Sequence, residues 1–430
     1  MNDSDIIPHL FKVEYSKIVS VLVRSFGLEY IETAEDIVSE TFLLALDSWT
    51  YKGKPENPTA WLYTVAKNKL KNHLARNDTF NRFISDQLTD ESRFNEMAID
   101  FSDKNISDSQ LQMLFAVCHP SISTEAQICL ALRILCGLGL NEIADAFLSN
   151  KETIHKRLQR AREKLYSEKI RIEMPNDKEI NERLNTVIQT IYLLFSEGYY
   201  SESNNSIVRK ELCVEALNLA YLLLDNSLTN NHTTNALMSL MCFHASRLEA
   251  RQSENGNIVL YDDQDRKLWD TEFIEKGFHY LQQASKWKIT STYYVEASIA
   301  YWHTVNSSNP DKWTSILKLY DVLLSANNSS IAALNRIWAF SKVYGNLSAI
   351  EEVEKLDEKE NHFYFILLAE LYKPIDNTKT IEYLTKALHS CKTGTEKEMI
   401  RKQISELNKS RPHYKGVYLS SAMEIQMPNL

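Results

Sequence analysis

Apolar side chains recur along this chain at the spacing of a helix. Val38, Phe42, Ala45 and Trp49 stand at i, i+4, i+7 and i+11, and Ile154, Leu158, Ala161 and Leu165 repeat that series. Leu62, Ala66, Leu70 and Leu74 fall at strict i+4 steps. At about 100° per residue each set forms one stripe along a helix. Strand-like alternation is hard to find, and 10 glycines and 9 prolines in 430 residues leave few interruptions. The expected fold class is all-α, in two or three domains each with its own core.

Several function classes fall away at once. No apolar run approaches the roughly 18 to 20 residues that cross a bilayer. The opening "MNDSDIIPHLFKVEY" has neither the basic start nor the apolar segment of a signal peptide. Six cysteines (118, 129, 136, 213, 242 and 391) are scattered without a C-x-x-C, which suits reduced core thiols in a cytoplasmic protein. Cys118 beside His119 has no second pair at ligand spacing, so no metal site is expected. There is no G-x-S-x-G, P-loop, G-x-G-x-x-G or H-E-x-x-H, and "SEGYYSES" lacks a histidine at a useful spacing. The expectation is a protein that is not an enzyme, carries no cofactor and does not enter a membrane.

The net charge is −9, which argues against a protein that coats DNA by bulk electrostatics. The charge is unevenly spread, however. Residues 52–76 carry Lys52, Lys54, Lys67, Lys69, Lys71 and Arg76 against Glu56 alone. Residues 151–171 carry Lys151, Lys156, Arg157, Arg160, Arg162, Lys164, Lys169 and Arg171 against Glu152, Glu163 and Glu168. Two basic islands in an acidic molecule suit a DNA binder that needs a partner.

"AEDIVSETFLLALDSW" (34–49) puts Asp36, Glu40 and Asp47 together, opposite the stripe of Val38, Phe42, Ala45 and Trp49. Such a carboxylate row is either a solvated face or a docking surface for a basic partner. A Gly/Pro break, "TYKGKPENP", precedes "TAWLYTVAKNKLKNHLAR" (59–76), where Thr64, Asn68, Lys71 and Asn72 lie on or near the side away from the leucines. Amides, ammonium groups and rings such as Trp61 and Tyr63 are what unpaired bases require; core aromatics are the plainer alternative. Residues 77–107 lose periodicity and turn acidic, as a flexible linker does, and helices return from Ser109.

"NEIADAFLSNKETIHKRLQRAREKL" (141–165) reads as two short helices at a steep crossing. Ser149 and Asn150 supply N-cap chemistry, and Ser149 with Glu152 fits the capping-box spacing. Lys151, His155, Lys156, Gln159, Arg160 and Arg162 stand off the apolar stripe, as on a helix that meets phosphates and base edges. A solvated basic face is the alternative. Leu148 occupies the turn where many such motifs have glycine.

In order, "AEDIVSETFLLAL", the break, "PTAWLYTVAKNKLKNHLAR", the acidic linker and a helix-turn-helix ending "RLQRAREKL" resemble bacterial sigma-70 factors of the extracytoplasmic-function (ECF) group, over about residues 8–170. "IYLLFSEGYYSES" (191–203) resembles the opening of the long C-terminal helical extension that some of these carry. The resemblance implies a region 2 bundle at 8–76, a linker at 77–107 and region 4 at 108–172. It implies core RNA polymerase as a partner, through the β′ clamp helices and the β flap, with Asp36, Glu40 and Asp47 on the clamp. It further implies promoter DNA: Lys52, Lys54, Asn57, Trp61, Thr64, Asn68, Lys71 and Asn72 at the −10 element, and Lys151, Glu152, Thr153, His155, Lys156, Gln159 and Arg160 at the −35 element. Lys67 and Asn72 depart from the Arg and Asp common in that helix, and lysine lacks the bidentate fork of arginine.

Residues 180–410 hold no basic island. "ILKLYDVLLSANNSS", "AIEEVEKLDEKEN" and "TIEYLTKALHSCKTG" begin at 316, 349 and 380, each after a Tyr- or Ala-rich helix. This is a degenerate tetratricopeptide-like period of about 34 residues. It suggests a regulatory domain with a protein or intramolecular partner, or a helical domain that only stabilises the rest, followed by a tail at 411–430. Tyr301, Trp302, Trp338 and Tyr372 read as repeat core, and His303 and His362 as lone histidines. The rival readings are a helix-turn-helix transcriptional regulator with a repeat-type interaction domain and a scaffold that does not bind DNA.

Overall fold

The computed structural model describes residues 6–76, 99–147, 149–200, 210–251, 259, 261, 264–287, 291–305, 309–326, 329–356, 361–391 and 394–409. Helices are the only regular secondary structure among them. The chain divides into two compact units, Met1–Leu193 and Leu194–Leu430. The sequence had suggested a boundary near 180.

The first unit is organised on α1 (Ile6–Phe26), whose middle is almost wholly buried through Tyr15, Ile18, Val19 and Leu22. Packed around it are α2 (Ile31–Lys52), α3 (Pro58–Arg76) and α4 (Asp103–Val117). The expected stripes are the buried ones: Val38, Phe42, Ala45 and Trp49 on α2, and Leu62, Ala66 and Leu70 on α3. Gly53, at φ +80°, lets the chain leave α2, and the Asn57 carboxamide oxygen caps α3 by accepting the Ala60 N–H at 3.0 Å. The helix after the linker starts at Asp103, before the expected Ser109, so the last part of the 77–107 segment is helical. Residues 77–98, the bulk of that segment, lie outside the described residues, as do Leu148 and the tail at 411–430.

The short α5 (Thr124–Leu130) continues as a π-helical turn, Ala131–Leu135. Then come α6 (Leu140–Ala146) and α7 (Lys151–Ser167), the two arms of the opening motif. Between these pieces Gly137 sits at φ +70° against Tyr15; a Cβ there would lie 2.9 Å from the Tyr15 ring. The N-cap of α7 is Asn150, which accepts the Thr153 N–H at 2.7 Å, and not Ser149. Ser149 instead uses its own N–H to close the turn onto the Ala144 carbonyl at 2.9 Å. Next is α8 (Asp177–Tyr200), within which the division between units falls. Its first half is fixed by Arg183 donating to the Phe115 carbonyl and Thr190 to Gln127.

The second unit contains α9 (Lys210–Asp225), α10 (His232–Ala245) and α11 (Thr271–Ser285), then helical hairpins. These pair α12 (Thr292–Thr304) with α13 (Lys312–Ala326), α14 (Ser330–Tyr344) with α15 (Asn346–Glu354), and α16 (His362–Tyr372) with α17 (Asn377–Ser390). A last helix, α18 (Gly394–Lys409), packs on α17. Trp338 and Tyr372 are buried in the core of the later hairpins, while Tyr301 and Trp302 are half-buried. His303 is buried, its ring against Tyr261 and Trp313.

Candidate functional site

Three helices of the first unit bring the expected residues to the surface. On α2, Asp36, Glu40 and Asp47 are all exposed, opposite the buried stripe. Glu40 is paired with Lys69 of α3 at 2.7 Å. Leucines that the sequence reading passed over stand among the carboxylates: Leu43 is 62% exposed, Leu44 42% and Leu46 50%, with Tyr51 89% exposed one turn on. Apolar side chains bared beside acids in this way are common on surfaces that dock a partner. The signal was present in the sequence, because none of these four positions belongs to the stripe of Val38, Phe42, Ala45 and Trp49.

On α3, Thr64, Asn68, Lys71 and Asn72 are exposed, at spacings that put them on one face. Lys52 and Lys54 are exposed where α2 ends. Asn57, also exposed, is engaged as the cap of α3. The two aromatic residues at the start of α3 take part in packing, the plainer of the two alternatives read from the sequence. Trp61 is half-buried, edge-on to Trp49 with ring centroids 5.4 Å apart. Tyr63 stacks on Phe101 and donates its hydroxyl to Glu14. Lys67, half-buried, reaches the Ile99 carbonyl at 3.2 Å.

On α7, Lys151, Glu152, Thr153, His155, Lys156, Gln159 and Arg160 are exposed, while Ile154, Leu158, Ala161 and Leu165 are buried. Gln159 leans on Glu163 at 2.9 Å. A cleft of about 550 Å³ opens between α7 and the start of α5, lined among others by Ser123, Lys156, Arg157, Arg160 and Lys164. Four cations on one concave wall attract phosphate. Arg157 and Lys164 belong to the basic island of 151–171 but not to the side chains expected at the −35 element. Arg157 is oriented by the Phe147 ring, 5.5 Å from its guanidinium, and by Cys129 Sγ at 3.8 Å. Arg162, read from the sequence as facing outward with the other cations, instead pairs with Glu32 at 2.9 Å and Glu35 at 3.0 Å on α2.

Comparison with known proteins decides the family. Residues 10–80, which hold α1 to α3, match the model of sigma-70 region 2. The chain belongs to the sigma-70 family. Over 125 residues it is 31% identical to the ECF RNA polymerase sigma factor BldN of Streptomyces coelicolor, across 28% of this chain and 45% of that one. It is a sigma factor of the ECF type with a C-terminal extension. Residues 183–285 of that extension match a family of unknown function (DUF6596). The uncharacterized protein R00370 of Rhizobium meliloti is 32% identical over 352 residues, covering 81% of this chain and 82% of its own length. No solved structure matches the chain. A sigma factor works with core RNA polymerase on promoter DNA, and the exposed faces of α2, α3 and α7 belong to a protein of that kind. No helix among the described residues is long and apolar enough to cross a membrane.

Proposed function

We propose that this chain is an alternative sigma factor that directs core polymerase in the cytoplasm to its own set of promoters. In this reading residues 8–76 are region 2 and 108–172 are region 4, joined by the acidic linker at 77–107, and residues 180–410 regulate them. The observation that carries it is the α2 face, where Asp36, Glu40 and Asp47 share the surface with bare Leu43 and Leu46. Carboxylates steer a basic partner and set its register, and the leucines supply the desolvated contact that holds it. The partner is the β′ clamp, with the β flap engaging region 4.

Once assembled, the α3 face with Thr64, Asn68, Lys71 and Asn72, and the α2–α3 loop with Lys52, Lys54 and Asn57, take the −10 element as single strand. Trp61 borders that face. Unstacking bases costs a few kcal/mol per step, which contacts to the captured bases must offset, since the protein consumes no nucleotide. The α7 side chains Lys151, Glu152, Thr153, His155, Lys156, Gln159 and Arg160 read the −35 element as duplex, with the cationic cleft against its phosphates. The linker, acidic like RNA, lies in the RNA-exit path.

The test is to combine the full-length protein with core polymerase and map transcription starts across a genome of promoters. Initiation from a small set sharing −35 and −10 sequences is the expected result. Failure to join core polymerase would end this reading, and tight sequence-specific duplex binding without polymerase would favour an ordinary helix-turn-helix regulator.

A further inference from the structure

The later hairpins of the second unit meet at one edge. Asn346, the first residue of α15, donates its side-chain amide to the Leu371 carbonyl near the end of α16 at 3.0 Å. That bond sets the α14–α15 turn beside the α16–α17 turn. In the second turn the Ile375 N–H donates to the Tyr372 carbonyl at 2.8 Å, and Asp376 caps α17 by accepting from Thr378 and Lys379. On this edge Leu347 is 68% exposed, Tyr344 61% and Ile375 47%. Beneath them Leu371 and Tyr372 are buried in the core of the hairpins.

The chain returns to the same edge when it leaves its last helix. α18 packs on α17, and only residues 391–393 join the two, so they run antiparallel. The end of α18 therefore lies beside the start of α17, next to Ile375 and Asp376. Leu407, in the last turn of α18, packs against the core that holds Leu371 and Tyr372. Residues 410–430 set out from there.

Their sequence is unlike that of a solvated tail. Apart from His413, only Arg411, Lys415 and Glu424 can carry charge, whereas segments that stay in water are rich in charge and poor in apolar residues. Between Gly416 and Pro428, Val417, Leu419, Met423, Ile425 and Met427 all fall on odd positions. The even positions include Ser420, Glu424 and Gln426. This is the period-2 alternation that is hard to find elsewhere in the chain, and it puts the apolar side chains on one face of an extended segment.

We propose that residues 417–427 lie extended across this edge, their apolar face on Tyr344, Leu347 and Ile375, as a built-in seal of the helical array. Size favours this occupant over a second copy of the chain. The three bare side chains expose on the order of 300 Å², well short of the ~800 Å² that each partner contributes to a stable protein–protein interface. A tethered segment needs less, because the link holds it at an effective concentration on the order of millimolar. Its length also fits. An extended segment of this size spans about 35 Å at ~3.3 Å per residue, enough to cross helices packed 8–10 Å apart. The seal also leaves polar groups outward, since Ser420, Glu424 and Gln426 then face water. Arrays of helical hairpins stay soluble only where their terminal units present such a polar outer surface.

Two measurements on the full-length protein test this. The first places the photoreactive residue p-benzoylphenylalanine at the exposed Ser348, beside Leu347. After irradiation, mass spectrometry is expected to find a crosslink to residues 417–427 within a single chain. A crosslinked dimer would mean that a second copy takes the edge, and crosslinks confined to other segments would mean that the tail does not; either overturns the proposal. The second is the rate of chymotrypsin cleavage after Tyr418 and Leu419 in the native protein. Leu347→Ser with Ile375→Ser, at positions exposed enough to leave the circular dichroism unchanged, should speed cleavage about five- to tenfold. Met423→Ser with Ile425→Ser should do the same, and all four together should add nothing further, because both pairs break one contact. Additive effects, or rates that neither pair changes, would overturn the seal. None of these outcomes depends on whether the chain acts with polymerase.

Discussion

Tyr63 lies flat on Phe101, with ring centroids 4.4 Å apart and 15° between the planes, and its hydroxyl donates to the Glu14 carboxylate at 2.5 Å. This joins α1, α3 and the stretch that follows the linker. Glu14 is nearly buried, with Lys17 as its other partner at 3.1 Å, so it depends on the phenol. Burial, and then the bond to Glu14, push the Tyr63 phenol above its ordinary range, so it remains a neutral donor at physiological pH. Tyr63→Phe should cost about 1–3 kcal/mol, the value of a hydrogen bond to a charged acceptor. Tyr63→Ala, which also removes the stack, should cost about 3–5 kcal/mol. Urea denaturation followed by circular dichroism measures both.

The α2 face separates docking from folding. Leu43 and Leu46 are at least half exposed, so Leu43→Ser with Leu46→Ser should alter stability by no more than about 0.5 kcal/mol each. If these side chains enter a desolvated interface, the same pair should weaken core-polymerase binding about tenfold or more. Reversing Asp36, Glu40 and Asp47 to lysine should do the same chiefly through a slower on-rate, with the difference shrinking at high salt. Anisotropy titrations at two salt concentrations distinguish these effects. The Lys69 pair with Glu40 does not alter the forecast, because an ion pair this exposed contributes about 0–1 kcal/mol.

Arg160 and Arg157 should behave differently although both line the cleft. Arg160 is exposed and contributes charge. Arg160→Ala in the holoenzyme should lower promoter affinity and reduce the salt slope by about 1, as for one lost phosphate contact. Arg157 also braces Phe147 at the turn between α6 and α7. Arg157→Ala should therefore cost helix-turn-helix stability as well, and Arg157→Lys, which keeps the charge, should recover the salt slope but not the stability. Filter binding across a salt series, beside thermal melts, reads both properties.

The helical stripes were legible because a periodic pattern is local: each buried residue of α2, α3 and α7 is fixed by neighbours within two turns. The surface positions on α7 followed from the same pattern. What escaped was decided at long range. Glu35 meets Arg162 across 127 positions, and nothing at residue 35 distinguishes it from Asp36, which is exposed. The pattern left Tyr63 between a base-stacking ring and a core aromatic because its partners, Glu14 and Phe101, lie far off on both sides. The cap of α7 stayed open between Ser149 and Asn150 because the two carry equivalent chemistry, and only the turn geometry chooses Asn150.

Cys118, Cys213 and Cys242 are wholly buried, and burial pushes each thiol up to about 12. Since the thiolate is the nucleophile, the reactive fraction at pH 8 falls to about 1 in 10,000, against roughly a quarter for a free cysteine. Alkylation of these three in the folded protein should be slowed about a thousandfold or more, with half-buried Cys136 modified first. Pulsed iodoacetamide labelling with mass spectrometry, with and without denaturant, measures this. Fast labelling of the three would contradict the packing around them.

Gly277 sets helix propensity against packing. It lies inside α11, where alanine is the better helix former by about 1 kcal/mol. A Cβ there, however, would lie 2.8 Å from Cδ1 and Cε1 of Phe243, a side chain only 1% exposed. The ring has little room to yield, because Tyr301 packs against it at 5.9 Å, and Ser239 holds the Gly277 carbonyl close at 2.7 Å. Overpacking of this kind costs about 1–3 kcal/mol or more, which outweighs the propensity gain. Gly277→Ala should thus destabilise the second unit by about 1–2 kcal/mol and lower its melting temperature by about 2–8 °C. A raised melting temperature would mean that Phe243 swings clear of the added methyl and that α10 and α11 are less tightly fitted than their contact implies.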